Sequence, residues 1–142
     1  MATRMNAFDK GKKEKPVVLL TYFAVATGGA VGCMARYGCT QLIQQIWGRD
    51  FPVATLIINV LGSLLMGFLF FETLERLTMT PALRAAILTG GLGGFTTFST
   101  FMMESLLLVE DGRIGRAIAY AALSLLLGFA AVVAGGFLAR RL

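Results

Sequence analysis

The stretch Thr89–Phe101 reads TGGLGGFTTFSTF. Gly90, Gly91, Gly93 and Gly94 crowd together, and Thr96, Thr97, Ser99 and Thr100 then interleave with Phe95, Phe98 and Phe101. Each interior glycine weakens a helix by about 1 kcal/mol relative to alanine, and β-branched threonines add smaller penalties. The stretch lies within an apolar segment at 81–108, so the accumulated weakness predicts a broken membrane helix. Irregular backbone at membrane depth is tolerated only where protein or water satisfies the freed groups. Freed carbonyls suit a hard monovalent cation, whereas free N–H groups and hydroxyls suit an anion. The positive ring edges of Phe98 and Phe101, on roughly one face of the following half-helix, would also suit an anion. Close helix packing through small residues accounts for the glycines as well, and lipid contact for the phenylalanines. Both readings stay open on these residues alone.

Outward from this segment the chain repeats one theme. Charges cluster between apolar runs of about 20 residues, the length a helix needs to cross the hydrocarbon core. The spans fall at about 17–36, 52–71, 81–108 and 117–139, and short connections make neighbouring spans antiparallel. The predicted architecture is an all-α, four-span membrane domain at 16–142 behind a mobile basic tail at 1–15. Mean hydropathy is positive and more than half of the residues are apolar. Soluble helices of this size would carry charged outer faces, which these lack. Pro16, Pro52 and Pro81 stand at span starts, where a missing N–H is harmless. Thr80 is placed to cap the third span, and Asp111-Gly112 to turn the chain into the fourth. Ala24-Val25-Ala26 resembles a signal-peptide cleavage site, but the apolar run continues to Ala35, which favours a retained span.

The net charge of +5 does not indicate a nucleic-acid ligand, because the basic residues sit at span ends rather than along a helix face. Cys33 and Cys39 lie on different faces of one helix and read as small apolar filler. With no histidine in the chain the usual proton shuttle is absent, so an enzyme is not expected. Basic residues number nine on the side of the termini and four on the other; without the five of the tail the tally is four against four. That balance permits insertion in both orientations. No internal repeat is present, so two-sided symmetry would have to come from a second copy of the chain.

Polar residues recur within the spans. Thr55, Asn59 and Ser63 form one stripe, with Gly62 beside them; Tyr120, Ser124 and Gly128 form another. Interhelical hydrogen bonding and pore lining explain these stripes equally well. No carboxylate falls at the centre of a span. Glu104 comes nearest, near the end of the third, where snorkelling or capping is the ordinary reading.

GGAVGCMARY (Gly28–Tyr37), ATLIINVLG (Ala54–Gly62) and above all GGLGGFTTFSTF (Gly90–Phe101) resemble the Fluc (CrcB) family of bacterial fluoride channels. Ala54 stands where that family usually has glycine, and the basic tail is outside its pattern. The resemblance implies an antiparallel, dual-topology homodimer in the lipid bilayer of the bacterial inner membrane. It implies passive export of fluoride through two pores, each lined by both subunits. Phe98 and Phe101 would offer ring edges to fluoride, Asn59 would hydrogen-bond it, and Tyr120 and Ser124 with Ser99 would continue a polar track. The carbonyls of Gly93 and Thr96 would hold a structural sodium ion, and Arg36 would draw anions to the pore mouth. Two rivals are a small dual-topology multidrug or cation exporter and an accessory membrane subunit. The exporter needs a membrane-embedded glutamate in its first span, and Val17–Ala35 contains no acid.

Overall fold

The computed structural model describes residues 7–75 and 78–142. Arg4 and Arg76, which enter the charge tally, lie outside them, as do residues 1–6 of the expected tail. The described residues are helical, with four segments long and apolar enough to span a membrane: Val18–Trp47, Val53–Thr73, Pro81–Glu110 and Ile114–Arg141. Helix α1 covers Ala7–Trp47 and α2 covers Val53–Glu75. The third span is composite: α3 (Pro81–Ala85), a π-helical segment (Ala86–Leu92), α4 (Gly93–Phe95) and α5 (Phe98–Glu110). Helix α6 covers Ile114–Arg141.

Local chemistry explains most of the boundaries. The Thr80 hydroxyl accepts the Leu83 N–H at 3.3 Å, and Pro81 opens α3. Gly48 and Gly112 take positive φ, 76° and 72°, in the turns after α1 and α5, where a side chain would be strained. Pro16 departs from expectation. It lies inside α1 rather than at its first turn, although the apolar span still starts just beyond it. The lysines and glutamate before it are good helix formers and carry the helix upstream of the membrane.

Packing rests on small residues rather than on a large apolar core. A Cβ on Gly28 or Gly32 would overlap the carbonyls of Ala86 or Gly91, and one on Gly90 would lie 2.5 Å from the Val25 carbonyl. Helix α1 therefore lies directly against the π-helical segment. Helices α2 and α6 meet in the same way: a Cβ on Gly67 would strike the Val132 carbonyl, and one on Gly135 the Leu64 carbonyl. In lipid no hydrophobic force drives helices together, so such close approach supplies the dispersion contact that holds them. The apolar residues instead face outward; Phe23, Leu126 and Phe129 are 65%, 70% and 72% exposed.

Candidate pore around the break in the third span

The break comes two residues after the last glycine. Thr96 and Thr97 are extended, with φ/ψ of −84°/160° and −152°/120°. The glycines themselves remain helical, and Gly90, Gly91 and Gly94 meet α1, which is the packing reading, whereas Gly93 is exposed. Opening the helix at the threonines frees peptide groups that must be satisfied. Asn59 on α2 does most of this: its Nδ2 donates to the Thr97 carbonyl at 2.9 Å, and its Oδ1 accepts the Thr97 N–H at 2.8 Å. The Thr97 hydroxyl caps α5 by accepting the Thr100 N–H at 3.3 Å. Thr97 N–H, turned toward Asn59, no longer closes a helical turn onto the Gly93 carbonyl, and Thr100 N–H no longer serves Thr96. Both carbonyls thus lose their helical donors.

A cavity of about 460 Å³ opens beside the break and brings together Asn59, Thr96, Phe98, Phe101 and Ser124. The Phe98 and Phe101 ring centroids are 5.7 Å apart, with planes tilted by 52°. Phe98 is 68% exposed on the single chain, whereas Phe101 is 4% exposed and packs edge-on against Tyr120 at 5.1 Å. The Ser124 hydroxyl is buried without a hydrogen-bond partner among the described residues. A buried, unpaired hydroxyl is costly, so this one is a donor that the fold itself does not use.

Not every expected residue lines this space. Tyr120 is fully buried behind Phe101, and its hydroxyl donates to Glu104 at 2.7 Å. Ser99 lies near the Thr97 hydroxyl, 3.4 Å away, on the exposed start of α5. Arg36, on α1, approaches Cys33 Sγ at 3.8 Å and lines neither this cavity nor the one described next.

Glu104 is the residue whose place the sequence concealed. Its carboxylate accepts the Thr55 hydroxyl at 2.8 Å as well as that of Tyr120, so it is held between α2 and α6 instead of snorkelling. The signal was present in register. Thr55 and Tyr120 each precede a cavity residue, Asn59 and Ser124, by one helical turn, and Glu104 follows Phe101 by about one turn. A second cavity of about 360 Å³ reaches Glu104 from the turns, with Arg49, Asp50 and Arg113 among its lining residues. Phe101 lines the first cavity, and Glu104, which accepts the Tyr120 hydroxyl, lines the second.

The sequence has relatives. Residues 23–136 match the model of the CrcB-like protein, Camphor Resistance (CrcB), family. A protein of Acidithiobacillus ferrooxidans called fluoride-specific ion channel FluC is 52% identical over 118 residues, covering 83% of this chain and 94% of that protein. Proteins from Methylococcus capsulatus (fluoride-specific ion channel FluC) and Moorella thermoacetica (fluoride-specific ion channel FluC 1) are 48% and 46% identical. Those matches cover 87% and 85% of this chain, and 54% and 86% of the two proteins. A family match over residues 23–136, most of the chain, places the chain in the CrcB family.

Proposed function

We propose that this chain forms a passive, fluoride-selective channel of the bacterial inner membrane, working as an antiparallel homodimer with two pores. The observation that carries the reading is the cavity at the break. There two phenylalanines, an unpaired serine hydroxyl and an asparagine amide converge at membrane depth. Fluoride is small and strongly hydrated, so a pore must replace water's hydrogen bonds with donors and positive ring edges at short range. Asn59 uses one amide hydrogen on Thr97, which leaves the other for an anion. Phe98, exposed on the single chain, is available to a pore completed by a second copy. Ser124 supplies a hydroxyl donor and Arg36 raises the local anion concentration, whereas Tyr120 and Ser99 stand outside the cavity. In domain terms, residues 16–142 form the membrane unit and 1–15 a basic tail.

The Gly93 and Thr96 carbonyls, relieved of their helical donors, fit a hard monovalent cation, and two copies would contribute such carbonyls to one central sodium site. Carbonyl oxygen is the kind of ligand that a hard cation takes. When bound, sodium would lower the cost of holding an anion nearby. Replacing sodium with a large organic cation should abolish flux; undiminished flux and an unchanged fold would remove the sodium from this account. Fluoride efflux from liposomes, measured against chloride, tests the channel reading directly.

A further inference from the structure

The end of the membrane unit where α3 starts and α2 and α6 finish holds arginines that the pore does not use. Phe70 and Phe71, in the last two turns of α2, meet edge to face with centroids 5.5 Å apart. Phe71 is fixed against α6, since a Cβ on Gly136 would lie 2.7 Å from its ring. The Arg84 guanidinium of α3 lies over Phe70, 5.1 Å from the ring centroid, and that of Arg140 over Phe71 at 4.1 Å. Two cations from different helices thus flank one aromatic pair. Arg141 sits likewise over Phe137 at 4.2 Å. A guanidinium carries five N–H donors in a planar fork. Among the described residues, none of these three arginines donates to an acceptor or pairs with a carboxylate, although Glu72 follows Phe71 on α2. At the opposite end, by contrast, Asp50 accepts from both Arg113 and Arg116, each at 2.6 Å.

We propose that Arg84 and Arg140, seated on the Phe70–Phe71 pair, bind the headgroup phosphate of an anionic phospholipid. The second span ends at Thr73, the third starts at Pro81 and the fourth ends at Arg141, so the cluster stands at headgroup depth. A snorkelling arginine lays its stem on apolar surface and leaves its head free in water. Here the heads themselves rest on rings, which holds them in place and leaves their forks unspent. Phosphate oxygens accept from such forks two at a time. This end carries nine basic residues against four acidic ones, so a lipid of net negative charge is favoured over a zwitterionic one. Lysine supplies the same charge without the fork, and therefore separates a built site from a diffuse field. Lipid recognition at this end is independent of which ion the cavity at the break passes.

The full chain, purified in detergent and freed of lipid, is offered phosphatidylglycerol or phosphatidylcholine with the same acyl chains, and bound lipid is counted by native mass spectrometry. The wild-type protein should retain one phosphatidylglycerol per chain. It should bind that lipid about tenfold more tightly than phosphatidylcholine, the worth of one charge-assisted hydrogen bond. Arg84→Lys/Arg140→Lys should remove most of that preference, whereas Arg49→Lys at the opposite end should leave it unchanged. Phe70→Leu keeps every charge but takes away the seat of Arg84, and should weaken binding severalfold. Should the lysine pair fail to fold, Phe70→Leu decides. Equal retention of the two lipids would overturn the proposal. So would a preference that survives the lysine pair or Phe70→Leu, or one lost equally in Arg49→Lys. Displacement of phosphatidylglycerol by inorganic phosphate at equal concentration would mark a free-anion site and overturn the lipid assignment.

Discussion

Asn59 performs two tasks that its position in the second span made compatible. An asparagine in hydrocarbon needs partners, and the break in the third span needs a donor and an acceptor. One side chain meets both needs at Thr97. Asn59→Asp keeps the acceptor but removes the donor and adds a charge. It should abolish fluoride flux and destabilise the protein by about 1–3 kcal/mol, the cost of leaving a buried carbonyl unpaired; flux and thermal unfolding measured together check both. The phenylalanines should separate the same two readouts. Phe101→Ala empties a packed site and should lower stability by about 3–5 kcal/mol. Phe98→Ala, at an exposed position, should leave the unfolding of the single chain within about 0.5 kcal/mol while abolishing flux. Ser124→Ala removes a hydroxyl that has no partner to lose, so flux should fall with no loss of stability. At this scale residue type and register put Asn59 and Ser124 on polar stripes and Phe98 and Phe101 on one face of the half-helix, while their convergence on one cavity was expected only from the family resemblance. Glu104 was not. Its hydrogen bonds to Thr55 and Tyr120 depend on how three helices meet, and sequence position alone made it look like a span-end acid.

The elements show why the glycines and the break are neighbours without being the same feature. Glycine lowers helix propensity, but here close contact with α1 keeps Gly90–Gly94 helical, the usual outcome when tertiary packing opposes a weak local preference. The chain opens at Thr96–Thr97 instead, where Asn59 supplies partners for the freed groups. Helix weakness was therefore visible in the sequence, and its location was not, because the location depends on a residue in another helix. Gly32→Val, which places a side chain against the Gly91 carbonyl, should separate α1 from the third span. A loss of several kcal/mol is expected, of the order seen for overpacked interiors. Thermal unfolding in detergent provides the check. The turns behave differently. Hydrogen bonds from Arg116 and Arg113 hold the Asp50 carboxyl below the usual carboxylate range. A depressed folded value means the tie is intact above the unfolded value and is lost as pH falls through the folded one, so it should persist throughout the neutral and mildly acidic range. A carboxyl-resolved NMR titration should place Asp50 below its midpoint in Arg113→Gln/Arg116→Gln; equal midpoints would remove the tie.

At the scale of the molecule, four spans meet along small-residue seams and leave the cavity at the break open on one side. Phe98 and the start of α5 lie exposed beside a cavity that one chain closes only partly. The four-span architecture was legible from apolar run length and charge placement, since hydrocarbon thickness leaves the chain few alternatives. The ends of α1 were less so: a basic amphiphilic approach to a membrane can be helix or coil, and Pro16 does not settle which. The balanced charge of the membrane body supports insertion in both orientations. Labelling of a terminus in native membranes should find copies facing each way, and a single orientation would exclude the antiparallel dimer.

The most direct test of the channel reading is fluoride efflux from liposomes containing the purified, sodium-replete protein, followed with a fluoride electrode beside a chloride control. Rapid fluoride loss with little chloride loss is expected, and it should vanish in Phe98→Ala and Asn59→Asp. Folded protein that releases no fluoride, or releases chloride as readily, would contradict the account.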